Sequence, residues 1–204
     1  FSIAFVGLFS PIASLGLKDI VIRELMSKEI SNKVILGSAA ILQIIGSIIA
    51  ISFILITVNC IRPNDSFLKV IISILSLSLI FKLTDVISYW FESQLLSKYT
   101  VWVQSGCYIV SALSKVYLIL NNASLTLFAW VAFAEVLLVG TLLCLMFSFK
   151  GLGLHRLIFS INFSLKLLKS SWPLLLSSMS IALYIKVDQI MLGQMLNDKS
   201  VGIY

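Results

Sequence analysis

The sequence predicts an all-α protein, a polytopic bundle of about six membrane-spanning helices. Of its 204 residues 59% are hydrophobic and only 12% are charged, whereas a soluble domain carries about 25% charged residues. The chain therefore lacks the polar surface needed to cover a water-soluble globule. The mean hydropathy is +1.06, and apolar runs recur that are long enough to cross a hydrocarbon core of about 30 Å.

Each predicted span is a mainly apolar run bounded by polar residues. The spans are residues 1–17, 34–58, 68–90, 100–120, 125–149 and 173–196. The first run starts at Phe1 with no initiator methionine, basic leader or cleavage site, so it is not a signal peptide. We expect the chain to be a fragment of something longer.

Two polar connections separate these spans most clearly. Residues 18–33 mix both charge signs and are expected to form a short surface helix or loop. Residues 150–169 begin with Gly151 and Gly153, which break the helix, and continue with apolar residues at helical spacing. This second pattern predicts an amphipathic helix lying on the membrane surface.

The distribution of Lys and Arg predicts the orientation. Alternating the spans places nine basic residues on one side and three on the other. The richer side holds Lys18, Arg23, Lys28, Lys33, Lys98, Lys150, Arg156, Lys166 and Lys169. Cytoplasmic loops are enriched in Lys and Arg, so this side is predicted to be cytoplasmic. The same rule explains the net charge of +6 without a nucleic-acid partner.

The third span carries a polar stripe. Ser78, Lys82, Asp85, Tyr89 and Glu92 recur at steps of four, three, four and three, which places them on one helix face. Ionisable side chains are costly in lipid, so this face must turn toward protein or a water-filled cavity. Lys82 and Asp85 are close enough in sequence to pair locally.

Further charges lie inside the later spans. Lys115 either joins the polar interior or extends to the membrane interface. Glu135 is a proton-coupling site, a partner for Lys115 or Lys186, or a hydrogen-bonded packing residue. Lys186 and Asp188 point to nearly opposite helix faces, and Asp188 shares its face with Tyr184. Each therefore needs a partner on another helix or in water.

These charges predict a hydrated path between the helices. The candidate residues of a substrate and translocation cavity are Lys82, Asp85, Lys115, Glu135, Tyr184, Lys186 and Asp188. Three lysines balance three acids, so the charges do not by themselves require an anionic substrate. The alternative interpretation is that they form ion pairs that only hold the bundle together. The three cysteines and His155 follow no ligand spacing, so no metal, cofactor or catalytic residue is predicted.

Several motifs run along the chain. Pro173 is followed by Leu-Leu-Leu-Ser-Ser, then by Tyr-Ile-Lys-Val-Asp-Gln-Ile-Met-Leu-Gly at 184–193 and Val-Gly-Ile-Tyr at 201–204. Gly-Leu at 16–17 precedes Arg-Glu at 23–24, and residues 85–93 end in Tyr-Trp-Phe-Glu-Ser before Lys-Tyr at 98–99. Together these residues resemble the O-antigen flippases, the Wzx-type proteins in the polysaccharide branch of the multidrug/oligosaccharidyl-lipid/polysaccharide exporter superfamily.

The resemblance implies about twelve spans in two six-helix lobes around a central cavity, of which this chain would hold half. Residues 1–149 would be the remainder of the N-terminal lobe, 150–169 a cytoplasmic interlobe linker, and 170–204 the first span of the C-terminal lobe. The implied activity is translocation of undecaprenyl-diphosphate-linked O-antigen or related oligosaccharide units across the bacterial inner membrane by alternating access.

The resemblance also implies which partners to expect. They are the lipid-linked oligosaccharide, membrane lipids and other glycan-assembly membrane proteins, with no nucleic acid. No chemical bond is made or broken, so neither a cofactor nor enzyme activity is expected.

Two alternatives come from other functional classes. One is a cation- or proton-coupled small-molecule or drug antiporter of the same superfamily, in which Glu135 and Asp188 would be the coupling and cation sites. The other is a membrane enzyme such as a glycan polymerase. Such an enzyme needs an aqueous catalytic loop, and the predicted outer connections are short.

Overall fold

The computed structural model describes residues 2–27, 29–150 and 157–195, with side chains described as far as residue 191. Within these ranges the chain is helical and forms no strand. The α-helices are α1 (Ser2–Ser14), α2 (Lys18–Ser27), α3 (Asn32–Ile61), α4 (Ser66–Leu77), α5 (Asp85–Ser93), α6 (Ser97–Leu120), α7 (Leu125–Phe149) and α8 (Ile161–Met195).

Six helical stretches of the described chain are long and apolar enough to cross a membrane. They are Ser2–Ser27, Asn32–Ile61, Ser66–Ser93, Ser97–Leu120, Leu125–Phe149 and Ile161–Met191. The prediction of an all-α polytopic bundle with about six spans is confirmed. The motif at 201–204 and the glycines at 151 and 153 lie outside the described residues.

The helix α1 ends in a tight turn at Leu15 and Gly16, whose φ angles are 53° and 61°. The backbone of Leu174 and Leu175, on α8, lies directly against Gly16. A β-carbon at residue 16 would be 2.6 Å from the Leu175 nitrogen. Glycine is needed here both for the left-handed φ and for the close approach.

The polar connection after this turn is helical. Residues 18–27 form α2, and its apolar residues Ile20, Val21 and Leu25 are buried. Of the two forms expected for this connection, the structure has the helix. It packs one face into the bundle rather than lying free on the surface, because these three residues face α5 and α3.

The third span is interrupted by a 3₁₀ helix, Ser78–Thr84, between α4 and α5. The fully buried Ser47 of α3 donates a hydrogen bond of 2.7 Å to the Leu79 carbonyl, which ties this segment to α3. In a 3₁₀ helix, side chains three residues apart eclipse one another. The segment therefore aligns Lys82 with Asp85, the first residue of α5.

The last span is longer than the sequence indicated. The amphipathic helix expected within 150–169 and the sixth span form one continuous helix, α8. Pro173 lies in its interior rather than at its start. Membrane helices tolerate an internal proline because neighbouring groups can satisfy the backbone carbonyl that it leaves free.

A short segment before α8 docks on the start of α3. The Ile158 amide donates to the Lys33 carbonyl at 3.1 Å, and the Ser160 amide donates to the Ser38 hydroxyl at 3.2 Å. Gly37 lies under this segment, where a β-carbon would be 2.5 Å from the Ile158 carbonyl oxygen. The beginning of α8 is thus fixed by backbone contacts to α3.

Two apolar cores follow one another along α3. One packs around residues 35–42 of α3 and draws on α2, α5, α6, α7 and α8. The other packs around residues 50–58 and draws on α1, α4 and α7. Leu79 belongs to the second core and Val86 to the first. The 3₁₀ helix therefore lies where the two cores meet.

Gly46 allows α1 to approach α3 closely. A β-carbon at residue 46 would lie 2.8 Å from the Ile12 carbonyl oxygen and 3.0 Å from that of Ala13. Small residues at such positions let membrane helices pack backbone to backbone.

We predict that Gly46→Ala lowers the free energy of unfolding by about 1–3 kcal/mol, the usual cost of forcing a methyl group into a packed interface. Gly106→Ala is the matched control, because no described atom lies within 4 Å of a β-carbon there. It should leave stability unchanged or slightly higher, since alanine favours helix over glycine. Denaturant titration in detergent micelles measures both, and equal stabilities would contradict the α1–α3 packing.

Candidate functional site

A polar groove opens between the α1–α2 turn, α5 and α6, with a volume of about 610 Å³. Its lining residues are Ser14, Lys18, Lys82, Asp85, Ser88, Tyr89, Glu92, Ser97, Thr100, Val101, Gln104 and Tyr108. The polar groove continues into an inner cavity of about 170 Å³ that reaches Glu135 on α7. Lys82, Asp85, Gln104 and Tyr108 line both.

One wall is the stripe predicted from the third span. Four of its five residues line the polar groove, and Ser78 lines the inner cavity. Lys82 Nζ lies 3.3 Å from Asp85 Oδ2, and both side chains are 36% exposed. Of the two surroundings expected for this face, protein or a water-filled cavity, the stripe lines a groove between helices, and Lys82 and Asp85 pair locally.

Tyr89 is held in this wall by a residue behind it. The amide nitrogen of Gln43, which is fully buried on α3, donates to the Tyr89 hydroxyl at 3.2 Å. The buried amide fixes the ring of a groove-lining tyrosine. This contact links the polar wall of α5 to α3.

The opposite wall is α6, and most of it was not among the candidate residues. Ser97, Thr100, Gln104 and Tyr108 line the polar groove at steps of three, four and four, the spacing of one helix face. Neutral hydroxyl and amide groups are far less costly in a membrane than charges, so they draw less attention in a sequence. The signal that could have found them is this helical periodicity, which Ser111 and Lys115 continue along α6 at steps of three and four from Tyr108.

A second ion pair closes one end of the polar groove. Lys18 Nζ on α2 lies 3.2 Å from Glu92 Oε2 on α5, and the two side chains are 54% and 43% exposed. The pair joins the α1–α2 turn to the end of the third span. In the sequence Lys18 contributes only to the charge difference that predicts the orientation, because the sequence does not show that α2 packs against α5.

Glu135 is bound by two residues of α6. The buried Ser111 hydroxyl donates to its carboxylate, and Lys115 Nζ lies 3.0 Å from Glu135 Oε2. The Glu135 side chain is 17% exposed and that of Lys115 40%. Of the interpretations left open for Glu135, the structure supports its role as a partner for Lys115. The pair joins α6 to α7.

The three candidate residues of the last span lie elsewhere. Tyr184 is 83% exposed and Asp188 is exposed as well. The Lys186 side chain packs against Gly7 of α1, where a β-carbon would be 3.6 Å from its Cε. None of these three lines the polar groove or the inner cavity. The reason is that α8 packs on α1, whereas the groove is bounded by α5 and α6.

The charges around the groove are paired with one another. Lys18 with Glu92, Lys82 with Asp85 and Lys115 with Glu135 each lie within 3.3 Å. Between them the walls present hydroxyl and amide groups. Such a site suits a polar, hydroxyl-rich ligand, while the lysines can still exchange a carboxylate for another anion. Within the described ranges, no group of three or more His, Cys, Asp or Glu residues is arranged to hold a metal ion.

We predict that Lys115 and Glu135 are energetically coupled. The double variant Lys115→Met/Glu135→Gln should lose less stability than the two single variants lose when added together. The difference, the coupling energy, should be about 1 kcal/mol, because each single change removes the charged partner of the other group. The matched cycle at the more exposed Lys18–Glu92 pair should give less than about 1 kcal/mol. Denaturant titration of the seven proteins, the unaltered one being common to both cycles, provides the comparison, and additive effects at Lys115 and Glu135 would contradict the pairing.

A comparison with protein-family models matches residues 1–204 to a family described as polysaccharide biosynthesis protein. Searches of curated proteins and of solved structures gave no match. The family match covers the whole chain and agrees with its six potential membrane spans. This chain is thus a multi-pass membrane protein and belongs to the polysaccharide biosynthesis protein family.

Proposed function

We propose that this protein moves a lipid-linked oligosaccharide, an undecaprenyl-diphosphate-linked O-antigen or related unit, across the bacterial inner membrane. The observation that carries the proposal is the polar groove with its charged walls inside an otherwise apolar bundle. A polar headgroup needs such a sheltered path, because crossing bare hydrocarbon would strip it of hydrogen bonds. No bond is made or broken in this activity, so it is transport rather than enzyme catalysis.

The helix α6 supports this proposal by having two different faces. One face carries Ser97, Thr100 and Gln104 in the polar groove. The other exposes large apolar side chains, among them Trp102 at 79% and Leu113 at 65%. A lipid-linked substrate has the same division, with a polar headgroup and a hydrocarbon tail. The headgroup would occupy the groove while the tail stays beside α6 in the bilayer.

The ion pairs support reversible binding of the diphosphate. A lysine that is paired with a carboxylate can exchange it for a phosphate oxygen and then return to the carboxylate. The lysine thereby avoids the cost of an unpaired charge in the membrane. Lys82 lies at the junction of groove and inner cavity and belongs to the 3₁₀ helix. Such a mid-span segment is a common hinge position, which suits the alternating openings of a transporter.

The antiporter alternative receives less support. It needs a carboxylate free to bind a proton or cation, and Glu135 is bound to Ser111 and Lys115. Asp188 is exposed and lies away from the groove. Cation-driven drug efflux without any movement of lipid-linked saccharide would favour this alternative.

We predict that Lys82→Glu lowers the transport rate about tenfold or more, because it removes a charged contact to the substrate and places a second acid beside Asp85. Proteoliposomes containing fluorescent undecaprenyl-diphosphate-linked saccharide report the rate as lipid becomes accessible to an external quencher.

The matched control is Lys169→Glu, which makes the same charge change at an exposed residue of α8. It should transport at the unaltered rate. Equal rates for both variants, at equal amounts of folded protein, would show that Lys82 takes no part. Absence of any saccharide movement by the unaltered protein would rule out the proposed function.

A further inference from the structure

Some buried polar atoms of the bundle lack a hydrogen-bond partner, and two of them belong to residues that line the polar groove. Among the described residues, the buried side-chain nitrogen and oxygen atoms without a hydrogen-bond partner are Gln43 Oε1, Ser88 Oγ, Trp90 Nε1 and Thr100 Oγ1. All four belong to the neighbouring helices α3, α5 and α6. Buried polar groups are normally hydrogen-bonded, and exceptions point to a ligand or water that completes them.

Two of these atoms belong to facing walls of the groove. Ser88 lines it from α5 and Thr100 from α6. Thr100 is 9% exposed, so its hydroxyl is withdrawn from bulk water. The two residues therefore offer a donor and an acceptor from opposite sides of one space.

Ser88 lies between the groove's two ion pairs. On α5, Ser88 lies one helical turn after Asp85 and one before Glu92, the partners of Lys82 and Lys18. Because those lysines are already paired, the band between them carries hydroxyl groups rather than net charge. A hydroxyl both donates and accepts, which matches a sugar hydroxyl better than a phosphate, which only accepts.

We propose that Ser88 and Thr100 form a subsite for sugar hydroxyls, which makes the polar groove prefer a saccharide-bearing lipid over the sugar-free polyprenyl diphosphate. This inference rests on the proposed function, and it names the residues that select the substrate. The paired lysines serve the diphosphate, and the hydroxyl band recognises the first sugars.

The test compares two probes with the purified protein in lipid nanodiscs. They are undecaprenyl diphosphate carrying a neutral disaccharide and undecaprenyl diphosphate without sugar. Thr100→Val replaces the hydroxyl with a methyl group and so keeps the side-chain shape. Ser88→Ala removes the hydroxyl on the facing wall. The matched control is Thr141→Val on α7, whose hydroxyl donates to the Leu138 carbonyl of its own helix.

Both groove variants should bind the disaccharide lipid about five- to tenfold more weakly, the usual effect of losing one hydrogen bond. Binding of the sugar-free lipid should not change, and Thr141→Val should bind both like the unaltered protein. The thermal midpoint of Thr100→Val should stay equal or rise, because the deleted hydroxyl has no partner in the unliganded protein. If the hydroxyl only supported the fold, its removal would lower the thermal midpoint.

Two other results would overturn the proposal. In one, the unaltered protein binds both lipids, while the groove variants bind each of them as tightly as it does, or bind both more weakly by the same factor. Either form of this result shows that the subsite is wrong while the proposed function stands. If the unaltered protein binds neither lipid, the proposed function fails and the subsite fails with it.

Discussion

The structure depends on keeping a charged pair inside a membrane-spanning bundle. Lys82 and Asp85 lie between two apolar cores, where a lone charge would be costly. The 3₁₀ helix brings them into register, and its carbonyl at Leu79 is held by Ser47 from α3. Pairing lowers the cost of both charges without removing either from the groove. A site that must meet a charged, hydrated headgroup therefore remains polar while its own charges stay compensated.

The same principle organises the helices around the groove. The contacts that join α2 to α5 and α6 to α7 include an ion pair each, Lys18–Glu92 and Lys115–Glu135. Elsewhere the helices meet through small residues and backbone, as at Gly46 between α1 and α3. Apolar burial alone gives little direction in lipid, because the surrounding tails are equally apolar. Polar pairs and close backbone contacts supply the specificity that fixes neighbouring helices.

The spans and the charged wall of the groove, on the third span, could be predicted from the sequence. Uninterrupted apolar runs fix the number of spans, and the cost of charge in lipid turns the stripe around Lys82 inward. The 3₁₀ helix could not be predicted, because its anchor is a tertiary hydrogen bond from Ser47. The α6 wall was missed since hydroxyl groups carry no charge penalty. Tyr184 and Asp188 lie away from the groove, because α8 packs on α1, and this helix pairing is a tertiary contact that the spacing of residues within one helix does not predict.

The contact between Gly16 and the backbone at Leu174 and Leu175 has a consequence for biogenesis. The α8 side of this contact is synthesised about 160 residues after the glycine, which at ribosomal rates of about 5–20 residues per second takes roughly 8–30 s. During that interval the turn at Gly16 is without its contact to α8. A close backbone contact of this kind depends on shape rather than on escape from water, so it can form once α8 arrives.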